Sequence, residues 1–159
     1  MPLIRILVDG YSLLHAWPEL ARGSARHSAM AREALVARLE EYQSALGTPI
    51  TLFFDGQRGG IDRRPPKPDP GKVEVLYSKA GQTADDLIER AAYRFRDYGE
   101  VLVVTDDHAE RDTVMGFGGL ASSCSTFIAQ IESELGQVHL DLKAHNRRER
   151  DRYQRDRLR

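Results

Sequence analysis

Leu3-Ile4-Arg5-Ile6-Leu7-Val8-Asp9 is an apolar run that stops on a carboxylate. Its apolar residues are nearly continuous rather than alternating, as in a strand buried on both faces of a sheet. Working outward, the design returns at Ile50-Thr51-Leu52-Phe53-Phe54-Asp55 and at Val101-Leu102-Val103-Val104-Thr105-Asp106-Asp107. Val73, Val75 and Tyr77 alternate in a further strand, with Asp85 just beyond it. Segments of helical period lie between these strands. Ala31, Leu35, Leu39, Tyr42 and Leu46 recur at steps of three or four, from Ser28 to a closing Gly47. Thr83-Ala84-Asp85-Asp86 has capping-box spacing and opens a helix with Leu87, Ala91, Phe95 and Tyr98 as its buried stripe, ended by Gly99. The pattern further predicts a short helix over 108–115, a turn over 116–119 and a helix over 123–135. Val138, Leu140 and Leu142 alternate as a fifth strand. Residues 16–27 read as an irregular connection. Residues 57–72, with four prolines, read as a long loop. Strands alternating with helices predict an α/β fold, a mostly parallel central sheet with helices on both faces.

At 159 residues the chain has the length of one domain, with 41% hydrophobic and 30% charged residues. No stretch approaches the ~18 apolar residues of a membrane span. The single cysteine, Cys124, excludes an internal disulfide or a cysteine zinc cluster. Together these predict a cytoplasmic protein. The net charge of −1 is unevenly distributed. Residues 145–159 hold seven arginines and three acids, a net of +4, and the other 144 residues carry −5. The expected organisation is therefore one folded domain over 1–143 and an Arg-rich tail over 144–159, the tail hinting at a polyanionic partner.

In an open parallel sheet the strand C-termini share one edge, where such folds place their sites. Carboxylates gathered there repel one another unless a cation neutralises them. Asp9, Asp85 and Asp107 would suit a hard divalent ion such as Mg²⁺ or Mn²⁺, with Asp86 and Asp106 in reserve. Metal-assisted phosphodiester cleavage by an activated water is the matching chemistry. Each acid also has a plainer reading. Asp9-Gly10 and Asp55-Gly56 are common turns, Asp85 and Asp86 suit the start of a helix, and Asp106 or Asp107 suits a helix cap. Tyr11, two residues after Asp9, excludes both an Asp-x-Ser-x-Ser adhesion motif and a haloacid-dehalogenase-type site. No phosphate-binding glycine loop or nucleophile elbow is present.

Taken in order, Val8-Asp9-Gly10-Tyr11, Phe53-Phe54-Asp55-Gly56, Thr83-Ala84-Asp85-Asp86 and Val103-Val104-Thr105-Asp106-Asp107 resemble the NYN domains of the PIN-like nuclease superfamily. Tyr77-Ser78-Lys79-Ala80-Gly81-Gln82 before the third motif and Gly116-Phe117-Gly118-Gly119 near the end resemble its YacP-like branch. The resemblance implies a three-layer α/β/α fold and a Mg²⁺- or Mn²⁺-dependent endonuclease of single-stranded RNA, acting on messenger RNA with the ribosome as a partner. It assigns metal-binding and catalytic roles to Asp9, Asp85 and Asp107, with Asp86, Asp106 and Asp55 as auxiliary acids. Ser12 stands where the family usually has Asn, and would position a ligand or a phosphate.

RNA would be held by Tyr11 and by Arg22, Arg26, Arg58, Arg63, Arg64 and Lys67, in loops able to flank the carboxylates. Trp17 is a further aromatic candidate whose other reading is core packing. Two rival functions share the fold: a catalytically weak RNA- or ribosome-binding module, and a PIN-like DNA nuclease.

Overall fold

The computed structural model describes residues 2–56 and 71–158. Most of the proline-rich loop lies outside them, with Arg58, Arg63, Arg64 and Lys67. Five strands, β1 (Leu3–Asp9), β2 (Ile50–Phe54), β3 (Glu74–Tyr77), β4 (Glu100–Val104) and β5 (Leu120–Ser122), form one sheet in the order β3-β2-β1-β4-β5. Every pairing is parallel. Five helices complete the described fold: α1 (Gly10–Ala16), α2 (Ala29–Leu46), α3 (Ala84–Phe95), α4 (His108–Gly116) and α5 (Cys124–Arg157).

Strand alternation divides the interior into two cores. Ile6, Val8, Ile50, Leu52, Phe54 and Val104 face α1, α2 and α5, where Leu13, Leu35, Leu39, Phe127 and Ile131 cover them. Leu7, Phe53, Val101 and Val103 face α3 and α4 and meet Ile88, Ala92 and Val114. The sheet is thus the middle of three layers, which explains its unbroken apolar runs.

The helix boundaries follow local chemistry. Ser28 caps α2 by accepting from Ala31 N, and Gly47 leaves it in the left-handed region at φ 82°. Thr83 and Asp86 form a complete capping box at α3.

Three expectations are corrected. The fifth strand is Leu120–Ser122, and Val138, Leu140 and Leu142 belong to α5, which runs unbroken to Arg157. A short alternating run is ambiguous, and this one follows a helix with no breaker stronger than Gly136. Residues on both sides of position 143 belong to this one helix. Tyr98 lies beyond α3 and is 76% exposed, so the stripe there is built from Ala84, Ile88 and Ala92, flanked by Leu87, Ala91 and Phe95. Residues 16–27 are more ordered than expected: α1 precedes them and a 3-10 turn, Pro18–Ala21, lies within them. Among the described residues, no helix is long and apolar enough to cross a membrane.

Candidate metal centre

The strand order places β1 between β2, to which the chain passes next, and β4, to which it returns after β3. That reversal opens a crevice at the C-terminal ends of β1 and β4, the usual ligand position in such sheets. Asp9 ends β1 there and caps α1, accepting from Ser12 N at 3.3 Å. Its other oxygen accepts from Thr105 Oγ1 at 3.4 Å. Asp85 arrives from the first turn of α3 and Glu110 from the first turn of α4. One carboxylate oxygen from each of Asp9, Asp85 and Glu110 lies within 4.8 Å of the others.

The electrostatics of this trio are those of an anionic cavity. Burial pushes the Asp9 carboxyl up from 3.8 to about 6, with the Asp85 charge adding to the effect. Glu110 is 2% exposed, and among the described residues neither of its oxygens has a hydrogen-bond partner. Burial, then Asp85 and Asp9, raise it to about 9. Glu89, one turn along α3 from Asp85, is raised by partial burial and by Asp85, Asp86 and Asp107. A buried carboxyl without partners is costly. Three oxygen donors converging on a hard divalent ion would relieve that cost, so the residues present fit Mg²⁺ or Mn²⁺.

Asp107, whose charge acts on Glu89 together with those of Asp85 and Asp86, is not one of the three acids whose oxygens meet within 4.8 Å. It is exposed, and its Oδ1 caps α4 by accepting from Ala109 N (2.9 Å) and Glu110 N (3.3 Å). The structure therefore brings Asp9 and Asp85 together but supplies Glu110 as the third carboxylate of the group. Glu110 shares a face of α4 with Val114, the other buried residue of that face. An acid on the apolar stripe of a helix was the sequence signal for it.

The remaining acids act as ties. Asp55 Oδ1 accepts from Ala84 N at 2.7 Å, which fixes the start of α3 and so Asp85. Asp86 is spent on the capping box. Asp106 Oδ1 accepts from Cys124 N at 2.9 Å and holds the start of α5. Ser12 Oγ accepts from Asp106 N at 2.9 Å, and Cys124 Sγ donates to it at 3.5 Å. Ser12 thus knits α1 to the end of β4 and to α5. Burial raises the Cys124 thiol to about 12, which removes it as a nucleophile.

Two glycines beside the site are required by close approach. A Cβ on Gly10 would fall 2.3 Å from the Phe54 ring, and one on Gly56 only 1.7 Å from the Ser78 carbonyl oxygen. Gly56 N also donates to Ser78 Oγ at 2.8 Å. Gly56→Ala must push β2 and β3 apart where Asp55 anchors α3. A loss of about 1–3 kcal/mol is expected, or a thermal midpoint lower by roughly 2–12 °C. Calorimetry showing an unchanged midpoint would refute this account of the contact.

Of the expected RNA contacts, Tyr11 is half-buried between Phe54 and His27, both at 4.9 Å between ring centroids. Arg22 and Arg26 are exposed on the connection after α1, Arg26 reaching His15 Nδ1 at 3.2 Å. Trp17 is 4% exposed in the core and cannot stack on a base.

Comparison with known proteins gives one consistent answer. Residues 6–159 match the YacP-like NYN domain family. The uncharacterized protein YacP of Bacillus subtilis (strain 168) is 32% identical over 130 residues, covering 80% of this chain and 75% of that one. The crystal structure of Rae1 (YacP) from Bacillus subtilis superposes with a TM-score of 0.73 at 26% identity, covering 95% of this chain and 85% of that one. A point-mutant form of the same protein gives 0.73 at 28% identity, covering 88% and 81%.

Proposed function

The chain belongs to the YacP-like NYN domain family, and on that premise we propose that it is an endoribonuclease that cleaves single-stranded RNA with a bound Mg²⁺ or Mn²⁺. The observation that carries this reading is the Asp9–Asp85–Glu110 group, with three carboxylates inside 4.8 Å and Glu110 buried without partners. When bound, such an ion neutralises the cluster, draws charge from the scissile phosphate and acidifies a coordinated water.

The chain's own residues set the geometry. Thr105 and the Ser12 amide aim Asp9, Asp55 holds the turn that carries Asp85, and the Asp107 cap fixes the turn that carries Glu110. The helices α1, α3 and α4 all begin at this edge, so their N-terminal dipoles favour an approaching phosphate. Tyr11, two residues after Asp9, and the exposed Arg22 and Arg26 are the residues proposed to hold the strand, by stacking and by phosphate contact. The resemblance of the motifs supports messenger RNA on the ribosome as the setting.

The test is a labelled single-stranded RNA incubated with Mn²⁺, with Mg²⁺ or with a chelator, beside DNA of the same sequence. Cleavage of RNA that needs the ion and exceeds that of DNA is expected. Cutting in the chelator, or RNA that binds and stays intact with both ions, would reject the reading. The second of these outcomes would leave a binding module on the same fold.

A further inference from the structure

From Gly136 to Leu158 every residue of α5 is exposed. As far as Leu140 the helix still lines a groove with Trp17, Arg22 and Arg38, and beyond it the helix continues as an arm. The arm's apolar side chains Val138, Leu140 and Leu142 are gathered at its start, and no apolar stripe runs on through its arginine-bearing part. Between Leu142 and Tyr153 its one apolar residue is Ala144. A helix lying on a membrane or pairing in a coiled coil needs a continuous apolar stripe.

What the arm does present is arginine, in two rows. At 3.6 residues per turn, Arg147, Arg150 and Arg157 fall on one flank and Arg148, Arg152 and Arg155 on another, the rows about 150° apart. Among the described residues, the arm's one ion pair is Arg152 Nη1 to Glu149 Oε1 at 3.5 Å. The other five described guanidiniums of the arm have no carboxylate partner among the described residues. The last 15 residues carry +4 in a chain whose remainder carries −5, so charge able to neutralise phosphates is concentrated here.

Arginines on opposed flanks suit two phosphate walls better than one flat anionic surface. Position along the helix separates this contact from the cleaved strand. Cys124, at the start of α5, bonds Asp106 beside the site. At 1.5 Å per residue Arg147 lies about 35 Å and Arg157 about 50 Å further along the axis.

We propose that the arm of α5 is a second RNA-binding site, which seats its two arginine rows against the phosphate strands flanking a groove of base-paired RNA, away from the strand at the carboxylates. This inference rests on the reading of the protein as an RNA nuclease, and its test separates the two.

The probe is a fluorescent RNA hairpin with a stem of about 16 base pairs, titrated with the full chain in a chelator and read by anisotropy over a range of salt. Tighter binding to the hairpin than to a single strand of equal length is expected. Replacing either row by glutamine (Arg147, Arg150 and Arg157→Gln, or Arg148, Arg152 and Arg155→Gln) should weaken it at least about tenfold and flatten the log–log salt slope by about two to three. Lysine in the same places should restore both. Circular dichroism should report unchanged helicity, and cleavage of a short single strand should stay as in the parent.

Unchanged hairpin affinity in the glutamine variants would overturn the inference and leave the cleavage reading standing. So would equal affinity for hairpin and single strand, or stronger capture by phosphatidylserine vesicles. Hairpin binding that depends on both rows, in a protein that never cleaves RNA, would sustain the arm and remove the proposed activity.

Discussion

Asp9→Asn is expected to lower metal-dependent cleavage at least about a hundredfold and, in the same protein, to raise the stability of the metal-free fold. The first effect follows from its place in the group. Loss of an outer-shell partner of a metal ligand already costs about 10–100-fold, and Asp9 is proposed as a ligand itself. The second follows from its ionisation. Burial, then Asp85, lift its carboxyl from 3.8 to about 6. A value raised in the folded state means that the protonated form suits the fold. That contribution is complete below 3.8, fades as the pH climbs to about 6, and leaves a penalty of about 3 kcal/mol above it. Asparagine carries no charge and still offers an oxygen to Ser12 N, but it matches Thr105 less well, at a cost of about 1 kcal/mol. A net gain of about 1–2 kcal/mol at pH 8 should shrink on acidification and vanish below about pH 4. Melting curves at pH 8 and pH 5, with and without Mn²⁺, provide the check. The ion should raise the parent's midpoint and act much less on the variant. A variant that still cleaves, or that is no more stable than the parent at pH 8, would remove Asp9 from the centre of the site.

Glu110→Gln is expected to be nearly as damaging to cleavage, by about 10–100-fold, while Asp107→Asn is expected to cost tenfold or less. Glu110 is buried, unpartnered and pushed to about 9, so near neutrality it is a protonated acid of nearly the shape of glutamine. Its replacement should leave the melting temperature at pH 7 almost unchanged, and a fall in activity would then reflect chemistry rather than folding. Binding a cation must displace the Glu110 proton, so Mn²⁺ affinity should climb with pH through about 9 in the parent and climb less in the variant. Asp107 spends an oxygen on two amides of α4, and asparagine caps a helix as well as aspartate does. Kinetics and Mn²⁺ titrations of both variants decide the matter. Inactivation by Asp107→Asn with an active Glu110→Gln would restore Asp107 as the third ligand.

The elements that could be read in advance are those whose cause is local. The runs ending at Asp9, Phe54 and Val104 are apolar on both faces because helices cover both faces. The Thr83–Asp86 box, the Ser28 cap and the Gly47 exit are hydrogen-bond and dihedral requirements met within four or five residues. Where period was the only signal, it failed when two periods fitted the same residues. Val138, Leu140 and Leu142 alternate as a strand would, yet they sit in a helix whose preceding turns were already in place. α1 went unread because its seven residues are too few to show a period.

The parallel α/β class, the helix caps and the arrival of carboxylates at strand ends were legible in the chain, because each depends on residues near one another along it. Which of them meet is a matter of packing. Asp55 holds Ala84 across 29 positions, and Ser12 holds Asp106 across 94. The first exists because β2 pairs with β3, which leads into α3, and the second because β1 pairs with β4. Glu110 joins Asp9 and Asp85 because one turn of α4 swings it inward while the Asp107 cap turns that side chain onto the helix end. A strand order and a helix rotation are properties of the packed whole, and no local spacing encodes them.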